Sequence, residues 1–262
     1  MGLKKFLRKH GMVLNDFALE VNDFVNGFYK RRLLNSFKVR YHIYGEGVTR
    51  LSNDHDISLY YQWPSTGISF WAEVPCFSFH AMRMFKENNV LELGCANGWY
   101  LREFYFKYAN LKYLGVDLSE STICEANRKL KKKEHSIGRK IDASFVVGNM
   151  LTDLSLYDIK ATNVFWYASI NMFSSQERKK ILSCIAKCLN ERNGILSGNA
   201  DLKNPEEQQW ELYVGLYTDE SELRAELGLF FKNVYIAPNK KSSLLFFMAS
   251  NGDLPFYNEK IG

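Results

Sequence analysis

The segment from Val90 to Gly98 constrains the fold of this chain more than any other, and it reads Val-Leu-Glu-Leu-Gly-Cys-Ala-Asn-Gly. It joins a short apolar strand to a turn of small residues, and a second apolar strand follows from Tyr113 to Asp117. A helical pattern lies between them, so the two segments predict a β-turn-α-β unit. A carboxylate at the end of the second strand can accept hydrogen bonds from both hydroxyls of a ribose. The arrangement therefore favours a ligand that contains a nucleoside.

The spacing of the small residues separates two classes of such ligands. A dinucleotide-binding turn has its third glycine five positions after the first, where the helix packs closely on the strand, but here Trp99 holds that position. The pattern present is Gly94-x-Ala96-x-Gly98, preceded by Glu92. It resembles the first motif of the class I S-adenosylmethionine-dependent methyltransferases, an acidic residue followed by Gly-x-Gly-x-Gly. Ala96 departs from the commonest form, and it requires a backbone angle that a non-glycine residue tolerates.

The pattern of strands and helices predicts an α/β fold. From residue 86 onward, apolar strands alternate with amphipathic helices, which is typical of a parallel sheet wound on both faces. The resemblance implies a Rossmann-like, mostly parallel sheet of seven strands, closed by an antiparallel pair and preceded by an N-terminal helical or irregular cap. Strands are predicted at 89–93, 112–117, 143–147, 162–167, 194–199, 231–236 and 243–249. Helices are predicted at 74–87, 99–108, from 119 or 121 through 133, 175–189 and 219–228.

Charge and periodicity divide the chain into two parts. The net charge is +5, and the first 40 residues hold nine Lys or Arg against three Asp or Glu. We therefore predict a basic helical arm and cap at 1–85 and an S-adenosylmethionine-binding methyltransferase domain at 86–262. The arm could meet RNA, a phosphate-bearing substrate or an acidic membrane surface, or it could be a solvated helix face. An amphipathic helix predicted at 14–37 favours docking on the domain or on a partner over lying on a membrane.

Composition also limits the compartment and the metal content. No apolar run approaches the roughly 18 residues needed to span a bilayer, and no secretory signal pattern opens the sequence. The five cysteines show no metal-binding spacing, so we expect reduced thiols, no metal site and a cytoplasmic protein.

The resemblance implies how S-adenosylmethionine would be bound as the cofactor. The turn amides would face the methionine carboxylate, and Asp117 would bind the ribose hydroxyls. Asn149 would accept a hydrogen bond from the adenine amino group, between Leu118 and Met150 on the two faces of the ring. The predicted cofactor-binding residues are Glu92, Gly94, Cys95, Ala96, Asn97, Gly98, Asp117, Leu118, Asn149, Met150 and Trp166.

The base for a hydroxyl acceptor is not fixed by a motif. The stretch 166–173 lacks the Asn/Asp-Pro-Pro-aromatic motif of enzymes that methylate base amino groups, and it lacks a histidine. A hydroxyl acceptor needs a base within hydrogen-bonding distance. His55, between Asp54 and Asp56, is the first candidate and Asp201 the second. Tyr167 is a third candidate, and the remaining alternatives are His42 and His80.

The leading functional hypothesis is therefore methyl transfer to an oxygen of a small molecule or sugar. Aromatic and polar residues at 38–75 would suit a hydroxyl-rich ring, because aromatic faces stack on the apolar faces of sugars. Two alternatives stay open. One is an RNA methyltransferase that holds phosphates with the basic arm, and the other is a non-catalytic partner subunit that retains the fold.

Overall fold

The computed structural model describes residues 75–103, 105–108, 110–167, 169–190, 192–203, 214–238 and 244–255. The predicted basic arm, the amphipathic helix at 14–37, and His42 and His55 lie outside these residues.

A seven-stranded sheet forms the centre of the fold, as the sequence predicted. Its strand order is β3-β2-β1-β4-β5-β7-β6. The first five strands in that order run parallel, and β7 runs antiparallel to both β5 and β6. The strands are β1 (Asn88–Leu93), β2 (Leu111–Asp117), β3 (Ala143–Val147), β4 (Asn163–Trp166), β5 (Ile195–Asp201), β6 (Asn233–Pro238) and β7 (Leu244–Ser250).

The helices connect the parallel strands and cover both faces of the sheet. They are α1 (Pro75–Arg83), α2 (Trp99–Glu103), α3 (Glu120–Ile137), α4 (Ser175–Asn190) and α5 (Glu220–Gly228). Short 3-10 helices lie at Tyr105–Lys107, Leu154–Tyr157 and Ile170–Met172. Ser119 is the N-cap of α3, as predicted, because its Oγ accepts the Thr122 N–H at 3.2 Å.

Two predicted helices are shorter in the structure. The helix predicted at 74–87 ends at Arg83, and the one predicted at 99–108 ends at Glu103 and gives way to a 3-10 helix. The second change accompanies the full burial of Tyr105, whose hydroxyl lies 2.6 Å from Ser78 Oγ on α1. Aromatic periodicity predicted a continuous helix there, but the buried hydroxyl pair favours a tighter turn.

Two large apolar cores enclose the sheet in the described part of the chain, and a small third cluster joins α1 to β5 and β7. The first lies between the sheet and the helices α4 and α5, and it includes Leu93, Val116 and Trp166. The second lies against α2 and α3, and it includes Tyr113, Phe165 and Tyr167. Alternate residues of each central strand thus enter different cores, which explains the nearly continuous apolar strands in the sequence.

Candidate active site

The strand order creates a crevice at one edge of the sheet. β1 pairs with β2 on one side and with β4 on the other, so the order of the strands reverses at β1. In open parallel sheets, ligands bind outside the carboxyl ends of the strands at such a point. The residues at or just beyond these strand ends are therefore the candidate site.

The turn after β1 places three residues, two glycines and Ala96, in the left-handed region of the backbone. Gly94 has a φ of +72° and Gly98 a φ of +69°, while Ala96 has a φ of +47°. Ala96 thus occupies the left-handed region, which costs a non-glycine residue roughly 1–2 kcal/mol. Its amide donates to Asp117 Oδ2 at 3.0 Å, and this bond helps to hold the strained residue.

The two glycines are also required by close packing. A Cβ atom at position 94 would lie 2.9 Å from Ser169 Oγ, and one at position 98 would lie 2.3 Å from Phe145 Cζ. Contacts that short force the neighbouring side chains to move, and both positions also have a positive φ, so the turn favours glycine at both positions.

Asp117 holds this cradle at the end of β2. Its side chain is 2% exposed, and besides the Ala96 amide it accepts the Ser119 amide at 3.1 Å through Oδ1. Asp117 thus connects the turn after β1 to the start of α3, and its binding of the ribose hydroxyls remains a prediction.

Glu92 lies below the turn, buried on the same face of the sheet. It is 2% exposed, and Tyr113 Oη donates a hydrogen bond to its Oε2 at 2.5 Å. Burial raises the pKa of the Glu92 carboxyl from 4.5 to about 8, the hydrogen bond from Tyr113 acts in the opposite direction, and the charge of Asp117 adds to the increase. Glu92 therefore binds a proton far more readily than an exposed glutamate.

The side chains of Cys95 and Asn97 both contact the protein around the turn. Cys95 is buried in the second core, and burial raises the pKa of its thiol well above the usual value. Its amide donates to Val116 O at 3.0 Å. Asn97 Oδ1 accepts a hydrogen bond from Arg102 Nη2 at 3.1 Å. Both residues shape the cradle, and their contact with a cofactor stays a prediction.

Asn149 and Met150 follow β3, at the side of the crevice that lies beyond Asp117. Asn149 Oδ1 accepts the Leu151 amide at 2.9 Å, so the oxygen predicted to meet adenine already stabilises a local turn. Met150 packs partly buried against the first core, as do other apolar residues near it. Leu118 is likewise partly buried. The roles of these three residues toward adenine remain predictions.

Trp166 is the last residue of β4, and its predicted contact with the cofactor stays a prediction. Its side chain is fully buried in the first core, with its ring centroid 5.9 Å from that of Phe173. Its Nε1 has no hydrogen-bond partner within the described part of the chain. Trp166 thus supports the floor of the crevice.

A row of polar side chains lies on the α1–α3 face of the sheet, at its carboxyl edge. It consists of Glu92, Asp117, Tyr167, Asn199 and Asp201. The apolar residues at the same level, which enter the core on the other face, are Leu93, Val116, Trp166 and Ala200. The polar side chains at the carboxyl edge therefore lie on one face of the sheet, and the candidate catalytic groups are expected on that face.

Asp201 extends furthest of these residues. The pairing of β4 with β5 ends at Trp166 and Gly198, so Asp201 lies three residues, or about 10 Å, beyond the last β4 pair. Asn171 holds it there: the Asp201 amide donates to Asn171 Oδ1 at 2.6 Å, and Asn171 Nδ2 donates to Asp201 O at 3.1 Å.

Tyr167 is poorly suited to act as a base. Its hydroxyl is buried and donates to Ser197 Oγ at 3.2 Å. Burial raises the pKa of Tyr167 well above its usual value, so the residue keeps its proton at neutral pH. His80, a further alternative, is half-buried on α1.

Two residues of this edge were not predicted. Ser169 and Asn171 belong to the stretch after β4, and both are buried. The sequence showed only that the stretch lacks known motifs. Their contacts, with Gly94 and with β5 respectively, depend on strand order and could not be seen in the sequence.

The described residues contain no group of three or more His, Cys, Asp or Glu side chains able to hold a metal ion. None of their helices is long and apolar enough to cross a membrane.

The reversed strand order, the acid-preceded glycine turn and the carboxylate at the end of β2 define a class I S-adenosylmethionine-dependent methyltransferase domain. Residues 90–192 match the family model described as a methyltransferase domain. This match supports the resemblance of the chain to the class I S-adenosylmethionine-dependent methyltransferases, whose cofactor is S-adenosylmethionine.

Similar proteins agree on the fold and on methyl transfer. A tRNA (guanine-N(7)-)-methyltransferase of Clostridium botulinum (strain Hall) is 26% identical over 151 residues, which is 56% of this chain and 64% of the relative. The chain thus spans just under two thirds of this relative. A putative O-methyltransferase from Nostoc punctiforme has a TM-score of 0.61 at 14% identity, covering 87% of this chain and 72% of that one. The plantazolicin methyltransferase BamL has a TM-score of 0.54 at 14% identity, covering 76% and 91%.

Proposed function

We propose that this chain transfers the methyl group of S-adenosylmethionine to an oxygen of a small hydroxylated molecule, such as a sugar. When bound, the cofactor supplies a methyl group activated by its sulfonium. The chain must bind the cofactor, align the acceptor oxygen with the methyl carbon and remove the hydroxyl proton. The turn at 94–98 would bind the amino-acid end of the cofactor, and Asp117 would bind its ribose.

The observation that carries this proposal is the position of Asp201. Its backbone is fixed by two hydrogen bonds to Asn171 beyond the end of β4, and it is only partly buried. A carboxylate there can accept the proton of an acceptor hydroxyl that approaches the crevice from above β4 and β5. His55 remains the alternative base, and it lies outside the described residues.

Much of the cap at 1–85 lies outside the described residues, and so does most of the insertion that follows β5 at 202–217. We propose that these two segments line the acceptor pocket. The aromatic residues of both segments support a ring-shaped acceptor, because such residues stack on sugar faces. We also propose that the chain divides into an arm with a cap at 1–85 and a domain at 86–262. The cytoplasmic location likewise remains a proposal.

The test uses the whole chain, isotopically labelled S-adenosylmethionine and a panel of hydroxylated acceptors that includes nucleotide sugars. Products are identified by mass spectrometry. We expect methyl transfer to oxygen, and we expect Asp201→Asn to lower kcat at neutral pH by roughly 10²–10⁴-fold, the contribution of a general base. Cofactor affinity should not change. An unchanged kcat in the variant would exclude Asp201 as the base.

A second candidate function is methylation of guanine N7 in RNA. The curated relatives carry this activity in their names, and the basic arm could hold phosphates. Guanine N7 has a free lone pair, so this reaction needs no base. Methylated guanine in tRNA, with binding that weakens steeply as salt increases and an Asp201→Asn variant that keeps full activity, would favour this function over O-methylation.

A further inference from the structure

The hydroxyl group of Ser169 is buried at the edge of the crevice. Ser169 is 5% exposed, and its Oγ has no hydrogen-bond partner among the residues that the structure describes. The residue precedes the 3-10 helix at Ile170–Met172, but its side chain makes no capping bond to that helix. Buried hydroxyls are nearly always hydrogen-bonded, because an unmet donor or acceptor costs free energy. In the free protein, the described residues therefore do not explain why a hydroxyl group is buried at this position.

The hydroxyl lies against the first glycine of the turn. A Cβ atom at position 94 would be 2.9 Å from Ser169 Oγ and 3.8 Å from Met150 Cε. Chain segments that follow β1, β3 and β4 thus converge at the backbone of Gly94. The absence of a side chain at Gly94 lets the Ser169 hydroxyl lie directly against the backbone of the turn.

Strand order indicates which end of the cofactor would lie there. Asp117 ends β2, which pairs with one side of β1, whereas Ser169 follows β4, which pairs with the other side. If the ribose lies at Asp117, the adenosine occupies the β2 and β3 side. The amino-acid end then crosses the turn toward β4. It carries an ammonium and a carboxylate, and a serine hydroxyl can accept from the first or donate to the second.

We propose that Ser169 binds the amino-acid end of S-adenosylmethionine through its hydroxyl group. The inference rests on the assignment of this cofactor to the crevice. Ser169 would form a hydrogen bond with a charged group of the cofactor. Water could not replace this bond, because the bound cofactor would exclude water from the site. It thus adds a side-chain contact to a turn that otherwise offers backbone groups.

The test compares Ser169→Ala with Ser250→Ala in the whole chain. Ser250 is also buried, but its Oγ donates to Gly194 O at 2.8 Å, where β5 begins and far from the carboxyl edge. We expect Ser169→Ala to leave the melting temperature of the free protein unchanged or higher, because no existing bond is lost. Ser250→Ala should lower that temperature and leave cofactor affinity unchanged.

Calorimetric titration gives the decisive comparison. We expect Ser169→Ala to weaken binding of S-adenosylmethionine and S-adenosylhomocysteine by about tenfold or more, the effect of losing a hydrogen bond to a charged group. Binding of 5′-methylthioadenosine, which lacks the amino-acid end, should not change. If the wild type and Ser169→Ala bind S-adenosylmethionine equally well, the proposal for Ser169 is wrong, but the proposed function is unaffected. Equal weakening for 5′-methylthioadenosine would also overturn it. A wild type that binds none of these ligands would overturn the proposed function as well.

Discussion

At the scale of single residues, the site depends on two carboxylates with different environments. Asp117 accepts two backbone amides, whereas Glu92 is buried beside one tyrosine hydroxyl. Burial thus brings the pKa of Glu92 closer to neutrality than that of an exposed glutamate.

This environment predicts a pH dependence of stability. The pKa of Glu92 rises from 4.5 to about 8 on folding, so the folded state binds more protons than the unfolded state between these values. Stability should therefore fall as pH rises through that window. Glu92→Gln keeps an oxygen that can accept the Tyr113 hydroxyl but cannot ionise. Urea unfolding at several pH values should show a smaller loss of stability in the variant.

The parallel control is Asp219→Asn, at an exposed N-cap of α5. Hydrogen bonds from Ser221 and Glu222 lower the pKa of Asp219, so its carboxylate stays ionised throughout this pH window. The effect of Asp219→Asn on stability should therefore be the same at every pH in the window. If wild type and Glu92→Gln lose stability equally with pH, Glu92 is not the titrating group.

At the scale of elements, a buried ion pair joins α4 to α5. Arg178 Nε lies 2.7 Å from Glu226 Oε2, and the two side chains are 3% and 6% exposed. Arg178 Nη1 also donates to Gly215 O at 2.6 Å and to Phe173 O at 3.0 Å. The Tyr217 hydroxyl bonds the same Glu226 carboxylate. The pair therefore fixes residues 215–217, which lead into α5.

Breaking this pair should destabilise the fold strongly. Glu226→Gln leaves Arg178 buried without its countercharge, so we expect a loss of about 3–5 kcal/mol in the free energy of unfolding. Denaturant unfolding of the variant measures it.

Glu220→Gln provides the matched control on the same helix. Glu220 pairs with Arg224 at 2.6 Å, but these side chains are 42% and 47% exposed. We expect that change to cost about 0–1 kcal/mol. Similar losses in the two variants would contradict the importance given to burial.

At the scale of the whole molecule, the sequence predicted the fold better than the site. Strand positions followed from buried apolar runs, and they agree within about two residues at most ends, since such runs are typical of parallel sheets. The helix after Trp99 was predicted too long, because the Tyr105–Ser78 contact joins distant segments. Glu92 was predicted as part of the first motif, but its partner Tyr113 depends on strand pairing. Ser169 and Asn171 were missed for the same reason.

The central claim of this account is that the crevice binds S-adenosylmethionine with its ribose at Asp117. The most direct measurement is calorimetric titration of this cofactor into wild type, Asp117→Ala and the control Asp219→Ala. We predict binding of one molecule per wild-type chain, weaker binding by about 1–3 kcal/mol for Asp117→Ala, and unchanged affinity for the control. No binding to wild type, or equal affinity in Asp117→Ala, would contradict the claim.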